Sequence, residues 1–423
     1  MDENVIILLI NALAYCLLLI YYWRKLKSIN LGIIVLGIFV LSSIGSVWYY
    51  TFDMTKFFFP QIYAIPLVYV FFLVWLSTKA LLDFDIKKIR GINDFCIQSF
   101  LVGLAALISF FSILPFIELL IKASSISMSS SFFGQMYEAE IDKSSYFFSP
   151  VGKFCFSLIR HLGPIPVVLL FYLIVKKEKK KLIVGCLLSV ITLFLYAFLA
   201  GSRGGVIGWS CAFVFSLFLF RYSLSERTYS LIKKSSAIGF VGIILIFFII
   251  SFSRLGYGDA YSGVHFEATR WFAQYLGMGF IRFSCNIWDL TRFADGDQNF
   301  GLLKSWAGLF DYTSREEYIS SMSDYLGIPL TEFYTYIGDI YMDFGRMGTI
   351  LFFILFFLLC KFAIFRNYRY LSVLQVVLIF DVFRFLCYGF ASNLSRSPSV
   401  QQEMVYPIIL GVILSLMQII TKI

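Results

Sequence analysis

Apolar residues form long uninterrupted runs along this chain, separated by shorter polar segments. A run of about 17 to 25 such residues is long enough to cross the hydrocarbon core of a bilayer as a helix. The pattern predicts eleven of these helices, at roughly 5–22, 31–50, 57–76, 95–121, 152–175, 182–200, 204–220, 237–252, 337–360, 371–390 and 404–420. We therefore expect an all-α polytopic membrane protein, with residues 1–423 forming a single integral domain.

Composition agrees with this expectation and excludes other classes. The chain is 59% hydrophobic and only 14% charged, with a mean hydropathy of +0.82, which lies outside the range of soluble domains. An aromatic content of 19% argues against a disordered or fibrous protein. The eight cysteines include no CxxC pair, so they indicate neither a disulfide framework nor a zinc site. We predict no cofactor.

Basic residues predict the orientation of the chain in the membrane. More than half of the Lys and Arg residues lie in alternate connections, including RKLK at 24–27 and KKEKKK at 176–181. Such connections are cytoplasmic by the positive-inside rule, which places the N-terminus outside and the C-terminus inside. The net charge of +9 is then explained by topology, and no nucleic-acid partner is predicted. The opposite side carries a smaller loop, 122–151, and a large, partly helical loop, 251–336.

Two arginines lie beside helix-breaking residues. The turn LAGSRGG at 199–205 surrounds Arg203 with glycines at the predicted outer boundary. Glycines allow backbone N–H groups to approach a ligand, and guanidinium pairs bidentately with phosphate. Arg203 and Gly204 are therefore candidate diphosphate ligands, and the alternative is an arginine that extends to lipid headgroups. Arg160 precedes Gly163 and Pro164, where a broken helix can open a polar pocket or form a simple kink.

Acidic residues within the predicted helices are the next candidates, because carboxylates in a membrane are costly. Asp339 and Asp343 are four residues apart, on one face of the ninth helix. An internal pair between Asp343 and Arg346 is the alternative to a functional role. Asp381 and Arg384, three residues apart, predict a structural ion pair.

The large outer loop contains further polar candidates, namely His265, Glu267, Arg270 and Arg282. The stretch WFAQYLGMGFIRF is amphipathic, so we expect it to fold against the outer membrane face. Asp295, Gly296 and Asp297 form a triplet that fits either a divalent metal or an ordinary turn. We predict the turn, and no metal site.

Two segments carry a resemblance to a known family. LAGSRGG, followed by a helix, and GDIYMDFGRMGTILFF at 338–353, after a large outer loop, resemble the O-antigen polymerases of the Wzy type, within the O-antigen polymerase and ligase superfamily. The shared plan of about eleven helices with one large late outer loop covers nearly the whole chain.

The resemblance implies a glycosyltransferase with a GT-C-like fold in the bacterial inner membrane. It would act on the periplasmic face without a metal, moving a growing glycan from undecaprenyl diphosphate to the non-reducing end of another carrier-linked repeat unit. Implied partners are these lipid-linked repeat units, membrane lipids, and a chain-length regulator and flippase of the same pathway. Arg203 matches the position of a diphosphate ligand. Asp339 matches the acidic position of the ninth-helix signature, as base or as an orienting group.

Loop location alone makes His265 and Glu267 candidate catalytic groups, and Arg270 and Arg282 candidate diphosphate ligands. Arg160, before the break in the fifth predicted helix, is a further candidate diphosphate ligand. Four other functions remain open on the sequence: an O-antigen ligase, a flippase or other transporter for lipid-linked oligosaccharides, a metal-dependent glycosyltransferase using Asp295 and Asp297, and a structural membrane subunit. The absence of an internal repeat and the length of the outer loop argue against a transporter.

Overall fold

The computed structural model describes residues 2–124, 146–236, 268–310, 312, 314–366, 369–393 and 398–421, together with positions 239, 241–242 and 245. These residues form two compact units. Unit 1 comprises Met1–Asp85, Thr269–Arg366 and Asp381–Gln402. Unit 2 comprises Ile86–Ala268, Asn367–Phe380 and Glu403–Ile423.

Fifteen helices of the described chain are used below. They are α1 Glu3–Leu26, α2 Leu31–Tyr50, α3 Asp53–Phe58, α4 Ala64–Leu82, α5 Gln98–Ser124, α6 Pro150–His161, α7 Ile165–Lys176, α8 Lys180–Leu199, α9 Arg203–Phe220, α10 Ala268–Arg282, α11 Asp297–Trp306, α12 Arg315–Leu326, α13 Thr335–Leu359, α14 Val373–Tyr388 and α15 Pro398–Ile420. Helical residues also occur at 226–236.

Seven helical segments of the described chain are long and apolar enough to cross a membrane, or eight if the bent pair α6–α7 counts as one span. The seven are Glu3–Leu26, Leu31–Tyr50, Ala64–Lys88, Gln98–Ser124, Lys180–Leu199, Thr335–Ile364 and Val400–Ile420. A shorter apolar helix occupies Gly204–Phe220. The predicted class is thereby confirmed at the level of a helical multi-pass membrane protein.

The third helix does not follow the predicted range 57–76. The structure has a short helix, α3, then a non-helical stretch, and α4 begins only at Ala64 and extends to Leu82. Pro60 explains the interruption, because proline has no backbone N–H and disfavours a helical residue before it. The side chain of Asn4 stabilises this stretch by donating to the Pro60 carbonyl at 2.9 Å and accepting from the Ile62 N–H at 2.9 Å.

The fifth predicted helix, 152–175, is broken into α6 and α7, which are inclined at 71° to each other. Gly163 has φ +54°, and Pro164 follows it. A Cβ atom at Gly163 would lie 2.6 Å from the carbonyl oxygen of Glu403, so only glycine allows this approach. The break predicted from Gly163 and Pro164 is present.

The remaining boundaries differ less or fall outside the described residues. The eighth predicted helix, 237–252, lies almost wholly outside them, as does most of the 122–151 loop. The tenth helix, predicted at 371–390, is α14, with 16 residues. The ninth begins at Thr335, contains one non-helical residue, Gly345, and ends in a π-helical turn, Cys360–Ile364.

In unit 1, α10 packs directly on α2. A Cβ atom at Gly277 would lie 2.2 Å from the Ser46 nitrogen, so the two backbones touch where Gly45 and Gly277 meet. Small residues allow this close crossing of helices in membrane proteins. Phe280 is fully buried and its ring packs against Tyr15 and Phe39. The amphipathic stretch WFAQYLGMGFIRF therefore packs on α2 within unit 1, because Gly277 has no side chain that would keep the helices apart.

In unit 2, α5 packs closely on α8, where Gly185 lies against Ser109 and the buried Cys186 lies near Ala105. Four aromatic rings pack together near the end of α8, where Tyr196 contacts Tyr146, Phe147 and Phe156. Residues 90–93 pair with 369–371 through three backbone hydrogen bonds, which fixes the start of α14. These contacts position the polar groups on α6 and α9.

Candidate functional site

The glycine-rich turn is the start of a helix. Gly201 adopts the left-handed conformation with φ +56°, which glycine accommodates without strain. Ser202 then caps α9 by accepting the Gly205 N–H at 3.1 Å. Arg203 is the first residue of α9, at the end of the helix that carries a positive partial charge. The side chain of Arg203 lies outside the described structure, and Gly204 is exposed at the same helix start.

Arg160, also in unit 2, is paired with a carboxylate that the sequence analysis did not consider. Its Nε lies 2.6 Å from Oε1 of Glu403 on α15, and its guanidinium lies 5.9 Å from the centre of the Tyr196 ring. Glu403 is a carboxylate at the edge of the predicted last helix, so the cost of an acidic group there was the signal that could have found it.

A second acidic residue, Glu118, holds the start of the helix that carries Arg160. Its carboxylate accepts hydrogen bonds from the Phe148 N–H and from the Ser149 hydroxyl, which in turn caps α6. A Cβ atom at Gly152 would overlap this carboxylate, so a larger residue there would displace the Glu118 side chain from its hydrogen bonds. Glu118 lies within the predicted fourth helix, and the same argument about acidic groups in membranes could have identified it.

Asp343 caps α11, a helix of unit 1 from which it is distant in the sequence. Helix α11 begins after Gly296, which has no side chain to accept the first N–H groups. The carboxylate of Asp343 accepts the N–H groups of Gln298 and Asn299, each at 3.0 Å, and the Asn299 side-chain amide at 2.6 Å. Only 1% of Asp343 is exposed, so these bonds replace the water that the carboxylate gives up.

Asp339 belongs to the same buried network. Its Oδ2 accepts the backbone N–H of Asn393, and its carbonyl accepts the Asn299 side-chain amide at 2.8 Å. The Asn393 amide donates to Asn299 Oδ1. Gln401 completes the network by accepting the Leu302 N–H and donating to the Asn299 carbonyl. The two aspartates predicted to share a helix face therefore join three separate segments of unit 1.

Arg346 does not form the internal pair that was considered for Asp343. Its guanidinium stacks 3.8 Å from the centre of the Trp288 ring, and its Nη2 lies 3.5 Å from the Trp288 carbonyl. The reason is local geometry. Gly345 has φ +65° and ψ −171°, which turns the chain away from helical geometry between the two residues.

The predicted pair Asp381–Arg384 is confirmed as a buried ion pair, with an Nη2–Oδ1 distance of 3.6 Å.

The triplet Asp295–Gly296–Asp297 forms a turn in which Asp295 and Gly296 both have positive φ. Asp297 forms an ion pair with Lys304, which lies seven residues later in the same helix, α11. Within the described residues, no group of three or more His, Cys, Asp or Glu side chains could hold a metal ion.

Two arginines of the long segment lie on α10. Arg282 is buried, pairs with Glu332, and lies 5.9 Å from the centres of the Phe59 and Tyr334 rings. Burial lowers the pKa of Arg282, and nearby Tyr334 and Tyr49 oppose this effect. Arg270, at the other end of the helix, lies 2.7 Å from Met54 Sδ through Nη1. The two are therefore not brought together.

The other loop candidates, His265 and Glu267, lie outside the described residues.

Cys285 does not act as a nucleophile in this arrangement. Burial raises its pKa to about 12, and its Sγ lies 3.2 Å from the Gln61 carbonyl oxygen, so the thiol stays protonated.

The candidate polar groups of this multi-pass helical membrane protein form two separate sets. Unit 2 has the helix start with Arg203 and the Arg160–Glu403 pair. Unit 1 has the carboxylate–amide network. No family model, curated protein or solved structure matches the chain.

Proposed function

We propose that this chain is a polysaccharide polymerase of the O-antigen polymerase type. It transfers a growing glycan from undecaprenyl diphosphate to the non-reducing end of another carrier-linked repeat unit, on the periplasmic face of a bacterial inner membrane. The observation that carries the proposal is the start of α9, where Arg203 follows a left-handed glycine and a serine cap. An arginine at the positive end of a helix dipole is suited to bind a diphosphate.

The proposed chemistry needs little more than binding and deprotonation. The lipid diphosphate is a good leaving group, so the enzyme stabilises the charge that builds on it as the anomeric C–O bond breaks. Arg203 and the first backbone N–H groups of α9 would supply this stabilisation without a metal. A general base accepts the proton of the acceptor hydroxyl as that oxygen attacks the anomeric carbon.

In this proposal Asp339 and Asp343 are positioning residues. Both carboxylates are buried and hold backbone N–H groups, Asp339 at Asn393 and Asp343 at α11. A carboxylate with 0% exposure, as in Asp339, is closed to an acceptor hydroxyl in this conformation. The role of base then falls to His265 or Glu267. Arg160 is proposed as a further diphosphate contact and would act while paired with Glu403. Arg270 and Arg282 have no part in this proposal, because they lie at opposite ends of α10 and Arg282 is buried and paired with Glu332.

The test begins with the bacterium that carries the gene. We expect deletion of the gene to leave surface glycan with a single repeat unit on its lipid anchor, because flipping and ligation still operate. Restoring the gene should restore long polymer on a gel of surface glycan. Complete loss of glycan would instead identify a ligase or flippase and would end the polymerase proposal.

Arg203→Lys tests whether Arg203 at the start of α9 binds the diphosphate. Lysine keeps the positive charge but lacks the planar fork that pairs bidentately with phosphate, so we expect at least a tenfold loss of polymer, about 1.4 kcal/mol. Arg292→Lys is the matched control, since it makes the same change at an arginine that contacts the Tyr325 ring and lies outside the proposed machinery. Normal polymer length in Arg203→Lys would remove Arg203 from the mechanism. Because the proposed chemistry uses no metal, the purified protein should also form polymer in the presence of a metal chelator.

A further inference from the structure

Unit 1 contains an open cleft that the proposed chemistry does not use. It has a volume of about 400 Å³ and is lined by Trp288, Asp289, Leu290, Phe293, Tyr341 and Arg346. Clefts of this size lie in the range that holds small ligands. Two of the lining residues, Tyr341 and Arg346, belong to the helical segment Thr335–Ile364, and Arg346 directly precedes its apolar run from Met347 to Cys360.

The cleft wall is aromatic and fixed in place. The Trp288 ring packs against Tyr341 and Tyr69, with ring centres 6.2 and 5.4 Å apart. The Tyr341 hydroxyl donates to the Trp288 carbonyl at 2.8 Å, and the Tyr69 hydroxyl donates to the Arg346 carbonyl at 2.7 Å. Side chains held in this way lose little conformational freedom when a ligand binds.

The charges at the rim restrict the chemistry of the ligand. Asp289 is exposed and offers hydrogen-bond acceptors, while Arg346 is exposed and offers donors. An anion would be repelled by Asp289, and a metal cation would be repelled by Arg346. Hydroxyl groups both donate and accept, so a neutral polyhydroxylated ligand satisfies both residues. The C–H face of a sugar ring also suits an aromatic wall.

We propose that this cleft is a saccharide subsite, which binds sugar rings of the carrier-linked glycan while the diphosphate is held elsewhere. The inference rests on the proposed function, because it names the part of that substrate which the cleft holds. Asp289 and Arg346 bind the sugar hydroxyls, and the half-buried Trp288, which packs on the buried Tyr341, contacts the ring.

The experiment measures saccharide binding to the full-length protein in lipid nanodiscs by saturation-transfer NMR. The probe is oligosaccharide released from the surface glycan of the host, free of lipid and diphosphate. Asp289→Ala and Arg346→Ala should each weaken binding by about tenfold, since each removes a charged hydrogen-bond partner. Asp289 is exposed, so Asp289→Ala leaves the fold intact even where Arg346→Ala disturbs the packing on Trp288.

Two variants are matched controls. Asp324→Ala removes an exposed carboxylate from α12. Arg292→Ala removes a guanidinium that stacks 5.5 Å from the Tyr325 ring centre and donates to a carbonyl, as Arg346 does at Trp288. Both should bind the saccharide like the unchanged protein. Equal binding by all variants would overturn the proposal, and so would displacement of the saccharide by inorganic diphosphate.

Failure of the subsite and failure of the polymerase give different results. If Arg203→Lys shortens the polymer while Asp289→Ala changes neither saccharide binding nor polymer length, the polymerase stands and the subsite is overturned. If gene deletion removes all glycan while the cleft variants still lose saccharide binding, the polymerase is overturned and the binding site is kept.

Discussion

Asp343 supplies a helix cap that the local sequence lacks, since α11 begins after a glycine. We expect Asp343→Asn to lower the free energy of unfolding by about 2 kcal/mol, because the asparagine Nδ2 faces N–H groups that need an acceptor. Asp324→Asn, on an exposed face of α12, should change it by less than about 0.5 kcal/mol. Thermal unfolding of the purified proteins in detergent measures both. Equal stability of the two variants would contradict a capping role for Asp343.

Asp94 gives unit 2 a dependence on pH. Burial raises the pKa of Asp94, but hydrogen bonds from Lys176 at 2.5 Å and Tyr172 at 2.7 Å outweigh this and hold it below its usual value. A carboxyl with a lowered folded-state pKa stabilises the fold above the unfolded pKa of about 3.9, and this contribution is lost as the pH falls through the folded value.

We therefore expect the unchanged protein to be more stable than Asp94→Asn at pH 7, with the difference shrinking once the pH falls below about 4. Other carboxylates titrate in the same range, so the difference between the two proteins is the informative quantity. Thermal unfolding between pH 7 and pH 3 would show it. A difference that stays constant over this range would contradict the role of the Asp94 charge.

At the scale of elements, Gly345 divides α13 into a buried polar part and an apolar span. Its φ of +65° is unfavourable for other residues, and a Cβ atom would lie 2.8 Å from Phe293 Cζ. Gly345→Ala should destabilise the protein by about 2 kcal/mol or more. Gly37→Ala in α2 is the control, because a Cβ atom there has nothing within 4 Å. Similar unfolding temperatures for both variants would show that Gly345 is not required.

The elements that the sequence predicted well are those defined by hydropathy alone. The lipid core demands long apolar helices, so the spans near 31–50, 95–121 and 182–200 are close to the helices observed. The prediction of helix was wrong at 59–63, where the side chain of Asn4, distant in sequence, stabilises a non-helical stretch through two hydrogen bonds. The packing of α10 on α2 was not predicted, because the Gly45–Gly277 contact leaves no local pattern.

The site was predictable to a similar extent. The four-residue spacing predicted that Asp339 and Asp343 share a face, and both do belong to one network. Their partners Asn299, Asn393 and Gln401 were missed, since an amide far away in sequence gives no periodic signal. The glycines around Arg203 predicted a turn, and the structure adds to it the left-handed Gly201 and the Ser202 cap, which the sequence analysis had not specified.

At the scale of the whole molecule, topology remains a prediction from the distribution of basic residues. We expect reporter domains fused after Glu178 and after Ile423 to be active only if they function in the cytoplasm. A reporter inserted after Leu309 should be active only if it functions outside, because that position lies in the large outer loop. Fusion after Ile29, in the first basic connection, is the cytoplasmic control. An exported reporter that is active after Glu178 would reverse the predicted orientation.

The network around Asp343 joins residues that are made at different times during biosynthesis. Leu302 of α11 donates its N–H to Gln401, which lies 99 residues later in the chain. A ribosome adds roughly 5–20 residues per second, so α11 waits on the order of 5–20 s for this partner to be made. During that interval the segment that carries α11 lacks its final contacts. We therefore expect a nascent chain stopped before Asn393 to be cleaved by proteases at α11 more readily than a chain that extends past Gln401.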